Sequence, residues 1–300
     1  MITSFKELVA EAARLEPQRL VVAAAEDGEV LKAVKMARAE GLIEPVLVGA
    51  KDKIEDLTAE VGLDPDSVEI IDAPSLPTAC QKAVQLVASG AGDLLMKGLV
   101  DTAVLMRAVL NKEWGLRTER LISHIAMIET EFMNRLIFVT DGGINIRPDL
   151  LQKKMIIENA IDVTKKLGYT EPKVAVLAAI EKVNEEMPET VDAAALTQMA
   201  ARGQITGGLV DGPLAIDNAL SKEAAAMKGI QSDVAGRADI LLVPDIVSGN
   251  ILGKSPIYFA NGKIAAIIGG TSKPVVLTSR ANTDEIKLIS IAAAVLMGSN

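Results

Sequence analysis

Thr278, Ser279 and Arg280 stand together just ahead of Asp284 and Glu285. These residue types suit chemistry on an anion. A guanidinium fork grips two oxygens of a phosphate, and hydroxyls add donors. If a helix opens just after them, its unpaired N–H groups point into the same space. A carboxylate in the first helical turn, Glu285 or Asp284, would then sit beside that anion as a base. The same two carboxylates also suit the helix dipole, and Asn282 with Glu285 would make a capping box. Thr-Ser-Arg is a short string, so spacing alone leaves both readings open.

Other side chains join the list of candidates. Lys97 follows an apolar run and precedes Gly98, where it either meets a phosphate or lies solvated in a loop. Arg107 falls on a segment whose other face is apolar, so an exposed helix arginine competes with a ligand-binding one. Asp141-Gly142-Gly143 closes a strand-like run, and Gly249-Asn250 opens a glycine-containing stretch that matches neither a Walker loop nor a Rossmann fingerprint. His124, the one histidine, lies in an apolar run without the spacing of a triad or a zinc site, and reads as a core residue. Cys80 reads as packing. Asp211, Asp217, Asp239 and Asp245 have no cage spacing, and Asp211-Gly212-Pro213 reads as a turn. No metal is expected.

The elements that must position these residues alternate. Leu20–Ala25, Val46–Gly49, Val68–Asp72 and Asp93–Met96 are short apolar runs that predict strands. Between them, 29–40, 53–61 and 77–89 carry helical spacing, with Gly41 closing the first of these helices. A helix over 102–110, strands at 121–128 and 135–140 and a long helix from Pro148 to Lys166 follow. The rhythm then restarts: strands near 174–177, 207–210, 239–243 and 264–268, helices near 190–202 and 221–228, and a helix opening near Gly249. A strand from Pro274 to Leu277 and a last helix towards Met297 complete the chain. Short joints between alternating strands and helices imply α/β architecture, with mostly parallel sheets covered on both faces.

Composition narrows the function classes. Aromatics are 2%, too few for a base-stacking surface, and a net charge of −9 argues against a nucleic-acid partner. A lone cysteine excludes a disulfide framework. No apolar run is long enough to span a bilayer, and Met1–Leu15 is amphipathic rather than a signal peptide. The expectation is a cytoplasmic protein without membrane or nucleic-acid partners.

Several strings together resemble the phosphate acetyl/butyryltransferase family. They are Val234–Asp245, Ser248–Leu252, Lys273–Arg280, Lys97–Val100, Leu116-Arg117, Ser123-His124, Asp141–Gly143, Arg202–Ile205 and Val210–Ala219. The butyryltransferase branch is the more similar. The resemblance implies reversible transfer of a short acyl group between coenzyme A and inorganic phosphate. It implies no permanently bound cofactor, with coenzyme A as co-substrate, and at least a homodimer. It also implies two α/β/α domains with an interdomain cleft, as in isocitrate and isopropylmalate dehydrogenases. The first domain would be residues 1–148 plus 272–300, with 149–271 inserted.

By the same resemblance, Ser279 and Arg280 line the acyl and phosphate pocket. Glu285, or Asp284 with the slip of one, is the base for the thiol. Arg107 matches a family arginine, and Lys97, Thr278, Asn250, Gly249 and Asp141 complete the expected substrate-binding set. Asn282 stands where the family commonly has Asp, and Gly253 where it has an aromatic, which bears on acyl-chain preference. Three rivals are a phosphate acetyltransferase, a non-catalytic sensor of coenzyme A or acyl phosphate, and a metal- and nicotinamide-dependent dehydrogenase. The last lacks its aspartate cage and cofactor loop here.

Overall fold

A computed structural model describes residues 1–279 and 282–299. The first half runs α1 (Phe5–Ala12), β1 (Gln18–Ala23), α2 (Gly28–Ala39), β2 (Ile43–Gly49), α3 (Lys51–Glu60), β3 (Glu69–Asp72), α4 (Leu76–Ala88), β4 (Leu94–Lys97), α5 (Thr102–Val109), β5 (Ser123–Glu129) and β6 (Ile137–Thr140). Next come α6 (Leu150–Lys166), β7 (Lys173–Leu177), α7 (Pro188–Ala201), β8 (Leu209–Leu214), α8 (Ile216–Leu220) and α9 (Lys222–Met227). The chain ends with β9 (Ile240–Leu242), α10 (Ile246–Phe259), β10 (Lys263–Gly269), β11 (Val275–Val276) and α11 (Asp284–Gly298).

The chain forms two compact units. The middle unit is Met1–Ser4 with Leu121–Ile264, and the terminal unit is Phe5–Arg120 with Ala265–Asn300. These divisions differ from the joints near 148 and 271 read from the sequence. β5 and β6 cluster with the later elements because β6 pairs in parallel with β9.

In the terminal unit, β3, β2, β1, β4 and β11 pair in that order, all parallel, and β10 runs antiparallel to β11. Leu20 to Ala23 of β1 are fully buried, as expected for a parallel strand covered on both faces. All five carboxyl ends therefore lie along one edge. In the middle unit, β6, β9, β7 and β8 are parallel, and β5 runs antiparallel to β6. Its core holds Ile128, Ile137, Val139, Leu177, Leu214 and Leu241 among others. Phe138 meets Tyr169 edge-on with centroids 5.5 Å apart.

Two local readings need correction. Asp211-Gly212-Pro213 is not a turn but the interior of β8. A Cβ at Gly212 would sit 2.8 Å from the Val176 carbonyl oxygen, so the glycine lets β8 approach β7. Among the described residues β8 has β7 as its only strand partner, and such an edge tolerates Pro213. The helix expected to open near Gly249 begins earlier, capped by Asp245 in a capping box with Ser248. Gly249 and Gly253 are its buried positions.

Candidate functional site

The carboxyl edge of the terminal unit gathers Lys97, Thr278 and Ser279. In open α/β sheets this edge is where ligands bind. β4 delivers Lys97, yet the side chain is buried and turns inward. Its Nζ donates to the carbonyls of Gly98 (3.2 Å) and Val100 (3.1 Å). Burial pushes the nearby Cys80 thiol up to about 11, with the Lys97 charge acting weakly the other way. The next residue, Gly98, has no room for a side chain: a Cβ would lie 2.0 Å from the Ala24 carbonyl oxygen.

β11 delivers Thr278, which is buried, and Ser279, which is exposed. The turn before β11 is pinned from the segment after α5. The Ser272 N–H donates to the Leu116 carbonyl (3.0 Å), and the Thr118 hydroxyl to the Gly270 carbonyl (2.7 Å). Beyond Ser279 the expected Asn282/Glu285 capping box does not form. The Asn282 Oδ1 accepts the Ser279 N–H (2.6 Å), which turns the amide away from the helix. Thr283 caps α11 instead, accepting the Ile286 N–H at 3.3 Å. Asp284 and Glu285 do fall in the first turn; Asp284 Oδ1 accepts the Glu285 N–H (2.8 Å), while Glu285 is exposed. Arg280 lies outside the described residues. Arg107 stands exposed in the last turn of α5.

One residue at this edge escaped the sequence reading. Lys287 is 1% exposed, among the largest fully buried side chains, and its Nζ donates to the Asn282 carbonyl. The signal was present: it is the single charged residue after Glu285 in an otherwise apolar helix.

The middle unit brings Asp141, Gly142, Gly143, Gly249, Asn250 and His124 together at its own carboxyl edge. The Asp141 carboxylate is 2% exposed and occupied by its own surroundings. It accepts the N–H groups of His124 (3.0 Å), Gly143 (2.8 Å) and Ile144 (2.9 Å), and the Asn145 amide (2.6 Å). That carboxylate builds the turn. Gly249 packs against the same turn: a Cβ there would lie 2.7 Å from the Asp141 carbonyl oxygen. Asn250, beside it, is exposed, and its Nδ2 donates to the Gly142 carbonyl at 3.4 Å. The His124 ring lies against Gly143 with Nδ1 sealed from solvent. Burial holds its pKa below the ordinary histidine value, and the Asp141 charge opposes the shift.

The remaining aspartates are committed separately. Asp217 and Glu181 share Lys228 (3.0 and 3.2 Å), which lowers both carboxyls and raises the lysine. Asp239 accepts the Lys173 N–H at 2.9 Å and faces Arg135 at 3.6 Å, and burial raises its pKa. Asp245 accepts the Ser248 N–H at 2.8 Å, which holds it below the usual carboxylate range. Asp211 accepts the Gly212 N–H at 2.8 Å. Among the described residues no group of three or more His, Cys, Asp or Glu is placed to hold a metal ion.

Comparison with known proteins bears on these sites. A family model described as phosphate acetyl/butaryl transferase matches residues 4–82 and 75–295. The phosphate butyryltransferase of Clostridium acetobutylicum is 46% identical over 300 residues, the full length of both chains. The phosphate acetyltransferase of Rhizobium meliloti is 44% identical over 294 residues, covering 98% of this chain and 93% of that one. Among solved structures, a branched-chain phosphotransacylase from Enterococcus faecalis superposes with a TM-score of 0.83 at 33% identity. It covers 94% of this chain and 99% of its own.

Proposed function

The chain belongs to the phosphate acetyl/butaryl transferase family, and we propose that its reaction is butyryl-coenzyme A plus phosphate giving butyryl phosphate and coenzyme A. It is an acyltransferase. The supporting observation is local: an exposed Ser279 and buried Thr278 stand at a carboxyl edge, with a capped helix N-terminus and Glu285 following at once.

Phosphate attacks the thioester carbonyl. Arg280 and Arg107 hold its oxygens and offset their charge. The Ser279 hydroxyl donates to the oxyanion of the tetrahedral intermediate. Protonated Glu285 hands its proton to the departing thiolate, and in the reverse direction its carboxylate takes the thiol proton. Asp284 is the second choice because one oxygen already accepts a main-chain N–H. Holding both substrates together supplies proximity without a covalent enzyme intermediate. Thr278, Lys97 and Asp141 serve by shaping the strand ends, Gly249 by letting α10 close on the Asp141 turn, and Asn250 offers an exposed amide to substrate. No cofactor is held permanently; coenzyme A enters as a co-substrate. The setting is cytoplasmic, in the metabolism of butyrate.

Thiol release from acyl-coenzyme A and phosphate tests this. Butyryl-coenzyme A is expected to give the highest kcat/KM. Each methylene in an apolar pocket carries about 10- to 200-fold discrimination, so an acetyl or branched preference would show plainly. A higher kcat/KM for acetyl would move the assignment to the acetyltransferase reading, which the similarity to the Rhizobium enzyme keeps in play. Binding without thiol release from any acyl donor would favour a sensor.

We also propose a homo-oligomer. α10 exposes Val247, Ile251, Tyr258 and Phe259 on a helix whose buried residues are two glycines, an apolar face of the kind that marks an interface.

A further inference from the structure

We propose that Lys287 and Asn282 form a positioning pair that fixes the main chain of Ser279 for acyl transfer. This rests on the assignment of Ser279 above.

Lys287 sits where a cation is costly twice over. Burial strips the ammonium of water, and the first turns of a helix favour negative charge. A leucine or methionine at this buried helical position would carry neither cost. Among the described residues, what the lysine obtains is the main-chain carbonyl of Asn282, just ahead of the Thr283 cap. Asn282 in turn holds Ser279 at both main-chain groups. Its Oδ1 accepts the Ser279 N–H at 2.6 Å, and its own N–H donates to the Ser279 carbonyl at 3.1 Å.

The three residues therefore form one chain of hydrogen bonds. Its buried end is the ammonium, and its exposed end is the serine. Both Ser279 main-chain groups are anchored through one residue, which sets the direction in which its side chain leaves the main chain. Oxyanion stabilisation depends on that aim, and small displacements of a donor are felt in turnover rather than in ground-state binding.

Steady-state kinetics with butyryl-coenzyme A and phosphate test the proposal on Lys287→Met, Asn282→Ala, Asn282→Asp and Ser279→Ala. Unfolding midpoints are measured alongside. Lys287→Met and Asn282→Ala should each lower kcat about 10- to 100-fold, the cost of a misplaced reacting group, with both KM values nearly unchanged. Asn282→Asp keeps the acceptor for the Ser279 N–H and should retain most of the turnover. The double variant Lys287→Met/Asn282→Ala should be no slower than the slower single one, because both break the same chain.

Loss of stability with wild-type kcat in the folded fraction would overturn the proposal and leave Lys287 a helix anchor. Additive losses would also overturn it. If Ser279→Ala is slow while Asn282→Ala is not, only the positioning role fails. If Ser279→Ala keeps full turnover, the serine assignment fails and takes this one with it. Should Lys287→Met not fold, the Asn282 pair decides alone.

Discussion

Ser279 offers a hydroxyl from a stretch whose main chain is already tied down, which suits an oxyanion donor better than a nucleophile. The proposed reaction needs no histidine or lysine base for it. Ser279→Ala should therefore cost about 10²–10³ in kcat, the usual price of one such donor, with the fold retained. Arg280→Gln should lose most activity with little change in unfolding midpoint; near-normal thiol release would remove it from the mechanism. His124 sets a different test. Burial lowers its folded pKa, so between that value and the unfolded value of about 6.5 the unfolded chain binds more protons. Stability should be intact above pH 7 and decline as pH falls below 6.5. Urea midpoints of wild type and His124→Asn, followed from pH 7.5 to 5.5, check this: the variant should show a shallower decline. Residue types single out Ser279 and the acidic pair as candidates in the sequence itself. They concealed which groups were already spoken for. Asp141 looks like a ligand by type, but four local donors occupy it. Lys97 looks solvated or outward-facing, but it is folded into its own loop.

The elements were legible because their signals are local. The apolar run Leu20–Ala25 became β1, and the helical spacing over 29–40 became α2, with Gly41 at φ 72° just past its end. The misreadings came where a tertiary approach overrode local chemistry. Gly212 and Pro213 spell a turn, yet β7 draws them into a strand. Gly249 suggests a helix start, yet it sits inside α10 because Asp245 caps first and the glycine is needed against the Asp141 turn. The Thr283 cap was missed because nothing local reports that Ser279 claims the Asn282 amide. Glycine at such contacts should be irreplaceable. Gly98→Ala drives a Cβ onto the Ala24 carbonyl, a backbone atom that cannot rotate away. It must shift the β4 end that carries Lys97. The expected cost is about 1–3 kcal/mol, the range for overpacking, read as a lower urea midpoint with a fall in kcat. Gly90→Ala, where a Cβ meets nothing within 4 Å but φ is 82°, would show backbone strain without a clash and separates the two effects.

At the scale of the whole molecule, surface charge and exposed apolar area pull in opposite directions. A net charge of −9 favours solubility and keeps copies apart. α10 runs against that trend: across Ile246–Phe259 its one charged residue is Lys254, and its two buried positions are glycines, of which Gly249 packs on the Asp141 turn. The large side chains are thereby left facing out, with Ile251 at 62% and Phe259 at 87% exposure. Among the described residues no helix is long and apolar enough to cross a membrane. A second copy of this chain is the occupant we assign to α10. The wild-type protein should then sediment at no less than about twice the 31.6 kDa of one chain. Placing a carboxylate in a desolvated apolar contact is strongly unfavourable, so Ile251→Asp should shift the mass towards the monomer at micromolar concentration. The far-ultraviolet circular dichroism should be unchanged, since the side chain is already largely exposed within its own chain. A monomeric wild type would overturn the assembly itself, and an Ile251→Asp variant with the wild-type mass would place the contact elsewhere; either leaves the apolar face of α10 unexplained.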